Sequence, residues 1–197
     1  MRTSVIGLVL TVAISLSASL AASGQRKVYV PVSPSRLDVA FTYNPTLANV
    51  TTSNQFWLQG GSAQIHARLW HEIGIAGNVV GLHIGNMQSS GVGLDLIAYT
   101  AGLRYTVTPK SGRINFFGEA LGGAVHGANS IFPTRTQFNT SGDSMAMQIG
   151  GGVNLPLSYH LAVRIAEADW LRTQLPNATT GVQNNFRLGA GIQYRFR

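Results

Sequence analysis

The chain has 197 residues, of which 45% are hydrophobic and 11% are charged, and its formal net charge is +7. Soluble domains carry roughly 25% charged residues, so a large part of this protein's surface is predicted to lie outside water. The basic residues are scattered singly along the chain, which argues against nucleic-acid binding, and the lack of cysteine excludes both disulfides and a lipoprotein anchor.

The first residues predict a secretory signal. A short basic start precedes an apolar run at residues 5–20, and small residues follow at 18–23. The run is shorter than the roughly 20 residues that a membrane-spanning helix needs, so an uncleaved anchor is the less favoured interpretation. We expect residues 1–22 to be a cleavable signal peptide, residues 23–35 an extended leader and residues 36–197 a single domain.

The remaining chain predicts about eight β-strands, because its side chains alternate between apolar and polar with a period of two. The clearest strand is the last, residues 184–196, where one face is apolar and ends in aromatic residues, while the other carries arginines, amides and glycines. The preceding seven are predicted near residues 37–44, 56–69, 72–84, 94–106, 113–126, 144–154 and 161–166. Residues 79–84 lose the alternation, so we expect a bulge or a change of pairing there.

The connections alternate between short and long. Residues 70–71, 108–112 and 156–160 form short connections, whereas residues 45–55, 86–92, 127–142 and 173–183 form longer ones on average. This alternation is typical of an up-and-down barrel in an outer membrane, with tight periplasmic turns and longer external loops.

Aromatic residues fall at both ends of the predicted strands. The predicted outer belt contains Tyr43, Phe56, Trp57, Trp170 and Phe186, and the inner belt contains Trp70, Tyr105, Phe116, Tyr159, Tyr194 and Phe196. Two belts of this kind are expected where amphipathic rings lie at the two membrane interfaces.

The signal, the eight alternating segments and the terminal residues 189–196 (GAGIQYRF) together resemble the small eight-stranded outer-membrane barrels typified by the OmpA transmembrane domain, in the porin superfamily. The resemblance covers nearly all of the mature chain. It implies an all-β fold, an eight-stranded antiparallel up-and-down transmembrane β-barrel in the bacterial outer membrane. It also implies that Tyr194 and Phe196 form the signal read by the barrel assembly machinery, although Arg197 departs from that pattern.

An eight-stranded barrel is just wide enough for its own side chains to fill the interior. We predict a lumen charge network, since an unpaired buried charge is costly. Its predicted members are Arg68, Glu72, Arg104, Glu119, Arg164, Arg187 and Arg195. Glu167, Asp169 and Arg172, which follow the break in the seventh strand, are candidates for extending this network or capping the outer opening. A static plug is favoured over a gate or a narrow anion-preferring path.

These patterns predict a non-enzymatic integral outer-membrane protein with a structural or surface-interaction role, in which narrow permeation of small solutes is a subsidiary hypothesis. We expect no cofactor and no metal, a monomer, and as partners the outer-membrane lipid, lipopolysaccharide and the barrel assembly machinery. The predicted external loop at residues 127–142 is the first place to look for a further partner.

Two alternatives remain at this point. A lipid A-modifying barrel enzyme would need a catalytic group such as His126 near Ser130 or His83 near Asp95, but no motif surrounds either histidine. A soluble lipocalin-like barrel would have the opposite faces, apolar inside and charged outside, and would carry more lysine than Lys27 and Lys110.

Overall fold

The computed structural model describes residues 35–51, 54–86, 92–109, 114–133, 138–176 and 181–196. The predicted signal peptide, all of the predicted leader except Ser35, and Arg197 lie outside this range. The strands are β1 (Leu37–Tyr43), β2 (Thr46–Thr51), β3 (Asn54–Trp70), β4 (Ile73–Ile84), β5 (Leu94–Val107), β6 (Asn115–Ala128), β7 (Phe132–Pro133), β8 (Phe138–Asn139), β9 (Gly142–Pro156), β10 (Leu161–Thr173) and β11 (Gln183–Phe196). Within these described residues there is no helix of sufficient length and apolarity to cross a membrane.

Nine of these strands form one closed antiparallel sheet in the order β1-β11-β10-β9-β6-β5-β4-β3-β2, with β1 also pairing with β3 and β2 with β11. Strands β1 and β2 are two halves of one wall strand, because both pair with β3 and β11 in the same register. Between them, Asn44 donates its N–H to the Gly60 carbonyl and the Pro45 carbonyl accepts the Leu188 N–H. The wall therefore contains eight strands, which confirms the predicted up-and-down barrel.

When paired residues are followed once around the barrel, the path returns to the first wall strand ten residues away from its starting point. The path of paired residues runs from Leu47 through Phe186, Trp170, Ile149, Ala120, Leu103, Ile75 and Ala67 to Leu37. With eight strands about 4.8 Å apart and a rise of about 3.3 Å per residue, this displacement corresponds to a strand tilt of about 40°. Such a barrel is narrow, so side chains from opposite walls meet at its axis.

The end at which β1 begins and β11 ends is called the lower end here, and the opposite end is the upper end. Connections at the lower end are short, as at residues 71–72, 108–114 and 157–160. Longer upper connections span residues 85–93, 129–141 and 174–182, and the second of these contains the small β7–β8 hairpin. The predicted long loop at residues 45–55 is wrong, because β2 continues the wall upward and leaves only residues 52–53 between it and β3.

The two faces of the wall have opposite polarity. Large apolar side chains such as Phe41, Ile65, Leu103, Ile165 and Ile192 point outward and are at least half exposed. The inward positions are buried, and most of the polar and charged side chains of the strands lie there. A soluble ligand-binding barrel has the reverse arrangement, so the faces contradict the lipocalin-like alternative.

Strand β4 pairs with β5 without any shift from Ile73 to Ile84, so the bulge expected at residues 79–84 is wrong. Val80 and Leu82 point inward and are buried, whereas Val79 points outward. The alternation disappears from the sequence because both faces of the strand are apolar at this height.

Candidate functional site

The lumen is filled by three layers of side chains. The upper layer is mostly apolar, with the buried polar side chains Thr173, Gln183 and Asn185 on its β10–β11 side. The middle layer is charged, and the lower layer, at the mouth of the barrel, is polar. The apolar layer consists of Ala48, Leu58, Val80, Leu82, Leu94, Leu96, Ala98, Val125, Phe132, Ala146, Leu171 and Leu175, with Phe56 and Ile84 packed against it. Phe132 comes from the longest upper connection and lies over Gly127 and Gly142, so that loop contributes a side chain to the closure of the barrel.

The charged layer contains three arginines and three carboxylates, each at most 5% exposed: Arg104, Arg164, Arg187, Glu119, Glu167 and Asp169. Arg104 Nη2 lies 2.5 Å from Glu119 Oε2, and Arg164 Nη1 lies 2.6 Å from Glu167 Oε2. Arg187 Nη2 lies 2.6 Å from Asp169 Oδ2 and 3.3 Å from Glu167 Oε1. The formal charges of the six groups cancel, which is the condition for burying so many ions together.

Two amides link the charged groups across the lumen. Gln64 Nε2 donates to both Glu119 oxygens at 3.0 Å, and Gln64 Oε1 accepts from Arg164 Nη1 at 2.8 Å and also from Arg104 Nη2. Gln148 Nε2 donates to Glu119 Oε1 at 3.1 Å, and its Oε1 accepts from Asn78 at 3.2 Å. These bonds join β3, β4, β5, β6, β9 and β10, so the layer connects opposite walls of the barrel and is more than a set of separate pairs.

Glu167 and Asp169 reach this layer because β10 contains a bulge. The register of β10 shifts after Arg164 against both β9 and β11. Ile165 and Ala166 both point outward, and the alternation then resumes one residue out of phase. If β10 continued in regular alternation beyond Arg164, Glu167 and Asp169 would point out of the barrel. The break seen in the sequence after the seventh strand is therefore the device that supplies two of the three carboxylates.

The lumen carboxylates of Glu119, Glu167 and Asp169 each bring an oxygen within 4.8 Å of the others. Such a cluster could offer oxygen ligands to a metal ion. Here each carboxylate is already ion-paired with an arginine. Arg104 and Arg164 also lie over the Phe117 ring, with 4.1 and 4.5 Å between the guanidinium carbon and the ring centroid. The arrangement therefore favours arginines, and not a metal ion, as the groups that balance the charge of these carboxylates.

The lower mouth holds the remaining predicted network residues. Arg195 is 4% exposed and lies near Asp38, which contacts His66 Nδ1 at 3.1 Å and accepts from Ser35 Oγ. Arg68 faces this mouth, and its Nη1 donates to the His71 carbonyl at 3.1 Å. Among the described residues no carboxylate pairs with Arg68.

Glu72 does not belong to the network. It is exposed and lies in the two-residue turn between β3 and β4. Its placement in the lumen was wrong because the sequence alternation was extended one residue too far into the turn. Arg172 also lies outside the lumen: it points outward near the upper end of β10, on the face opposite to Thr173 and Leu171.

The aromatic residues predicted for the belts point outward with one exception. Tyr43, Trp57, Trp70, Tyr105 and Tyr194 are between 47% and 68% exposed, and Trp170 is partly exposed on the same face. Phe56 instead packs against the apolar layer of the lumen, so its assignment to the outer belt was wrong.

The histidines that raised the possibility of catalysis have acidic partners. His83 pairs with Asp95, and His126 Nδ1 lies 2.7 Å from Asp143 Oδ1, while Ser130 is buried elsewhere. At the lower mouth Asp38 lies between Ser35 and His66, whereas nucleophilic catalysis by serine requires the histidine in the middle to accept the serine proton. None of these described groups has the geometry of a hydrolase.

The apolar layer is the part of the lumen that the sequence interpretation missed. Its signal was the paired apolar residues of β4 and the apolar inward positions Leu94, Leu96 and Ala98 of β5. The sequence pattern predicted a polar lumen along the full height of the barrel, so these apolar inward residues were not recognised as a separate layer.

No protein-family model and no curated protein matches the chain. Solved structures do. Neisserial surface protein A matches with 14% identity and a TM-score of 0.64, over 82% of this chain and 98% of that one. Ail, the attachment invasion locus protein of Yersinia pestis, matches with 14% identity and a TM-score of 0.57, over 83% of this chain and all of that one. At this identity the likeness concerns the fold: the chain has the fold of the small eight-stranded outer-membrane β-barrels.

Proposed function

We propose that this chain is a non-enzymatic integral protein of the bacterial outer membrane, a closed barrel that holds its upper loops at the cell surface. The observation that carries the proposal is the inverted polarity of the wall, with apolar side chains exposed outside and charges buried inside. Hydrocarbon is the solvent that such an exterior fits, and a closed barrel leaves no unpaired strand edge in it. The signal would direct export and be cleaved near residue 22, and folding would use the barrel assembly machinery.

A structural or interaction role is favoured over permeation. A solute on the axis would have to pass the balanced charged layer and then the apolar layer above it. The apolar layer includes Leu58, Leu94, Leu96 and Leu171, each at most 2% exposed, so its side chains are packed against one another. A polar solute gains no compensating hydrogen bonds from these leucines.

The upper connections are the part of the molecule available to a partner. In the loop between β6 and β9, Ile131 is 56% exposed, whereas Phe132 is buried in the top of the lumen. The search for a binding surface on this loop therefore centres on Ile131 and its polar neighbours. Lipopolysaccharide is the proposed contact of the outward face, where Arg172 lies near the upper end of the wall.

Two measurements test the proposal. Fractionation of the cell envelope should recover the mature chain with the outer membrane, and release of the folded protein into buffer without detergent would contradict membrane integration. In a planar bilayer the purified barrel should give no steady conductance. A reproducible conductance that falls when Arg104 or Arg164 is replaced by glutamate would overturn the closed-lumen part alone.

A further inference from the structure

The lower mouth contains a small polar pocket that the charged layer does not use. Its lining includes Asp38, His66, Arg68, Thr106, Asn154 and Gln193. The enclosed part has a volume of about 20 Å³, which is room for a single particle the size of a water molecule or a chloride ion. The pocket lies below the charged layer, whose Arg104 forms part of its lining.

Two buried polar atoms of residues lining this pocket have no hydrogen-bond partner. These are Nε2 of His66, a residue only 3% exposed, and Nε of Arg68. The His66 ring lies over Gly74, where a side chain would come within 2.4 Å of Nε2, so the glycine leaves the space that the ring occupies. A buried polar group without a partner is costly, and a bound particle at the pocket would remove that cost.

The charge of the surrounding groups distinguishes a water molecule from an anion. The six groups of the charged layer balance one another, and Asp38 is engaged by Ser35 and His66 and lies near Arg195. Arg68 has no carboxylate partner among the described residues. A water molecule could accept a hydrogen bond from the Arg68 N–H but would leave the charge of Arg68 uncompensated. An anion would accept the hydrogen bond and also compensate the charge.

We propose that the pocket at the lower mouth binds a small inorganic anion of the size of chloride, held by the Arg68 Nε–H beside the buried His66 ring. The anion offsets the charge of Arg68 and holds its guanidinium against the mouth. Chloride should therefore stabilise the folded barrel specifically, whereas a simple ionic-strength effect would only weaken its ion pairs.

The test uses the mature chain folded in a zwitterionic detergent, so its result does not depend on where the protein resides in the cell. Thermal unfolding is followed at equal ionic strength in sodium chloride, sodium phosphate and sodium gluconate, and chloride binding is measured by ³⁵Cl NMR line broadening. Chloride should raise the Tm relative to gluconate and show a broadened line. Phosphate that removes the broadening would show that the same site also accepts an oxyanion.

The variant Arg68→Gln should weaken chloride binding by about tenfold or more, since it removes a charged donor. Arg172→Gln is the matched control, because that arginine is exposed on the outward face, and it should bind chloride as the wild type does. If Arg68→Gln fails to fold, bromide soaked into crystals of the wild type should give an anomalous peak within hydrogen-bond distance of Arg68 Nε. Identical unfolding in chloride and gluconate, unchanged binding in Arg68→Gln, or no bromide peak at the mouth would each overturn the proposal.

Discussion

Removing one charge of the Arg104–Glu119 pair should destabilise the barrel more than the small change in side-chain volume suggests. The two residues are register partners on β5 and β6, and their side chains are 2% and 0% exposed. Glu119 accepts hydrogen bonds from Arg104, Gln64 and Gln148. Glu119→Gln leaves the guanidinium buried without its carboxylate, which costs about 3–5 kcal/mol, and Arg104→Gln leaves the carboxylate unpaired at a similar cost.

The double variant Arg104→Gln/Glu119→Gln restores a neutral layer with two arginines and two carboxylates. Its loss of stability should be smaller than the sum of the two single losses by about 2 kcal/mol or more, since each single variant contains an uncompensated charge that the double variant lacks. The measurement is the free energy of unfolding in urea for the barrel in phospholipid vesicles, followed by the fluorescence of its three tryptophans.

Arg172→Gln serves as the control for loss of an arginine at an exposed position, and it should change stability by no more than about 0.5 kcal/mol. The reasoning fails if Glu119→Gln unfolds within about 1 kcal/mol of the wild type. It also fails if the losses of the two single variants simply add in the double variant, because the pair would then not be coupled.

The bulge and the glycines of the wall give two further predictions, both measured by the same urea unfolding. Deleting Ala166 should leave the barrel folded with less than about 1 kcal/mol of stability lost, because it removes the extra residue of the bulge and keeps β10 in phase with both neighbouring strands. Deleting Ala168 should cost at least about 3 kcal/mol, because it turns a lumen carboxylate outward. Equal losses in the two variants would contradict the assignment of the bulge. Gly123→Ala should cost about 1–3 kcal/mol, since the added Cβ would lie 1.9 Å from a backbone oxygen. The added Cβ of Gly122→Ala meets no atom within 4 Å, so this variant should be neutral or slightly stabilising. An unchanged stability of Gly123→Ala would show that the backbone of the wall can move to accommodate a side chain there.

The layered lumen explains why a narrow barrel can be both charged and closed. The charged layer braces opposite walls, as in the bond between Gln64 and Arg164, which are 100 residues apart in the chain. The apolar layer above it adds packing between β2, β3, β4, β5, β6, β9 and β10. Together the two layers fill the middle and upper parts of the lumen with packed and paired side chains.

The period of two in the sequence was sufficient to predict the all-β fold, the strand number and most of the inward and outward positions. Arg104, Arg164, Arg187 and Glu119 were placed in the lumen by this pattern alone, and the structure brings them together there. This works because alternation is a local property of an extended chain: each strand reports its own two faces without reference to its neighbours.

The tertiary structure decided three matters that alternation could not. The bulge after Arg164 turned Glu167 and Asp169 into the lumen, and the turn at Glu72 kept that residue out of it. In the apolar stretch of β4, Val80 and Leu82 proved to line the apolar layer, whereas Val79 faces outward. Each depends on which residues face one another across the axis of a barrel closed with a displacement of ten residues. That information lies in contacts between strands distant in the chain, where a single extra residue reverses the direction of every side chain that follows it.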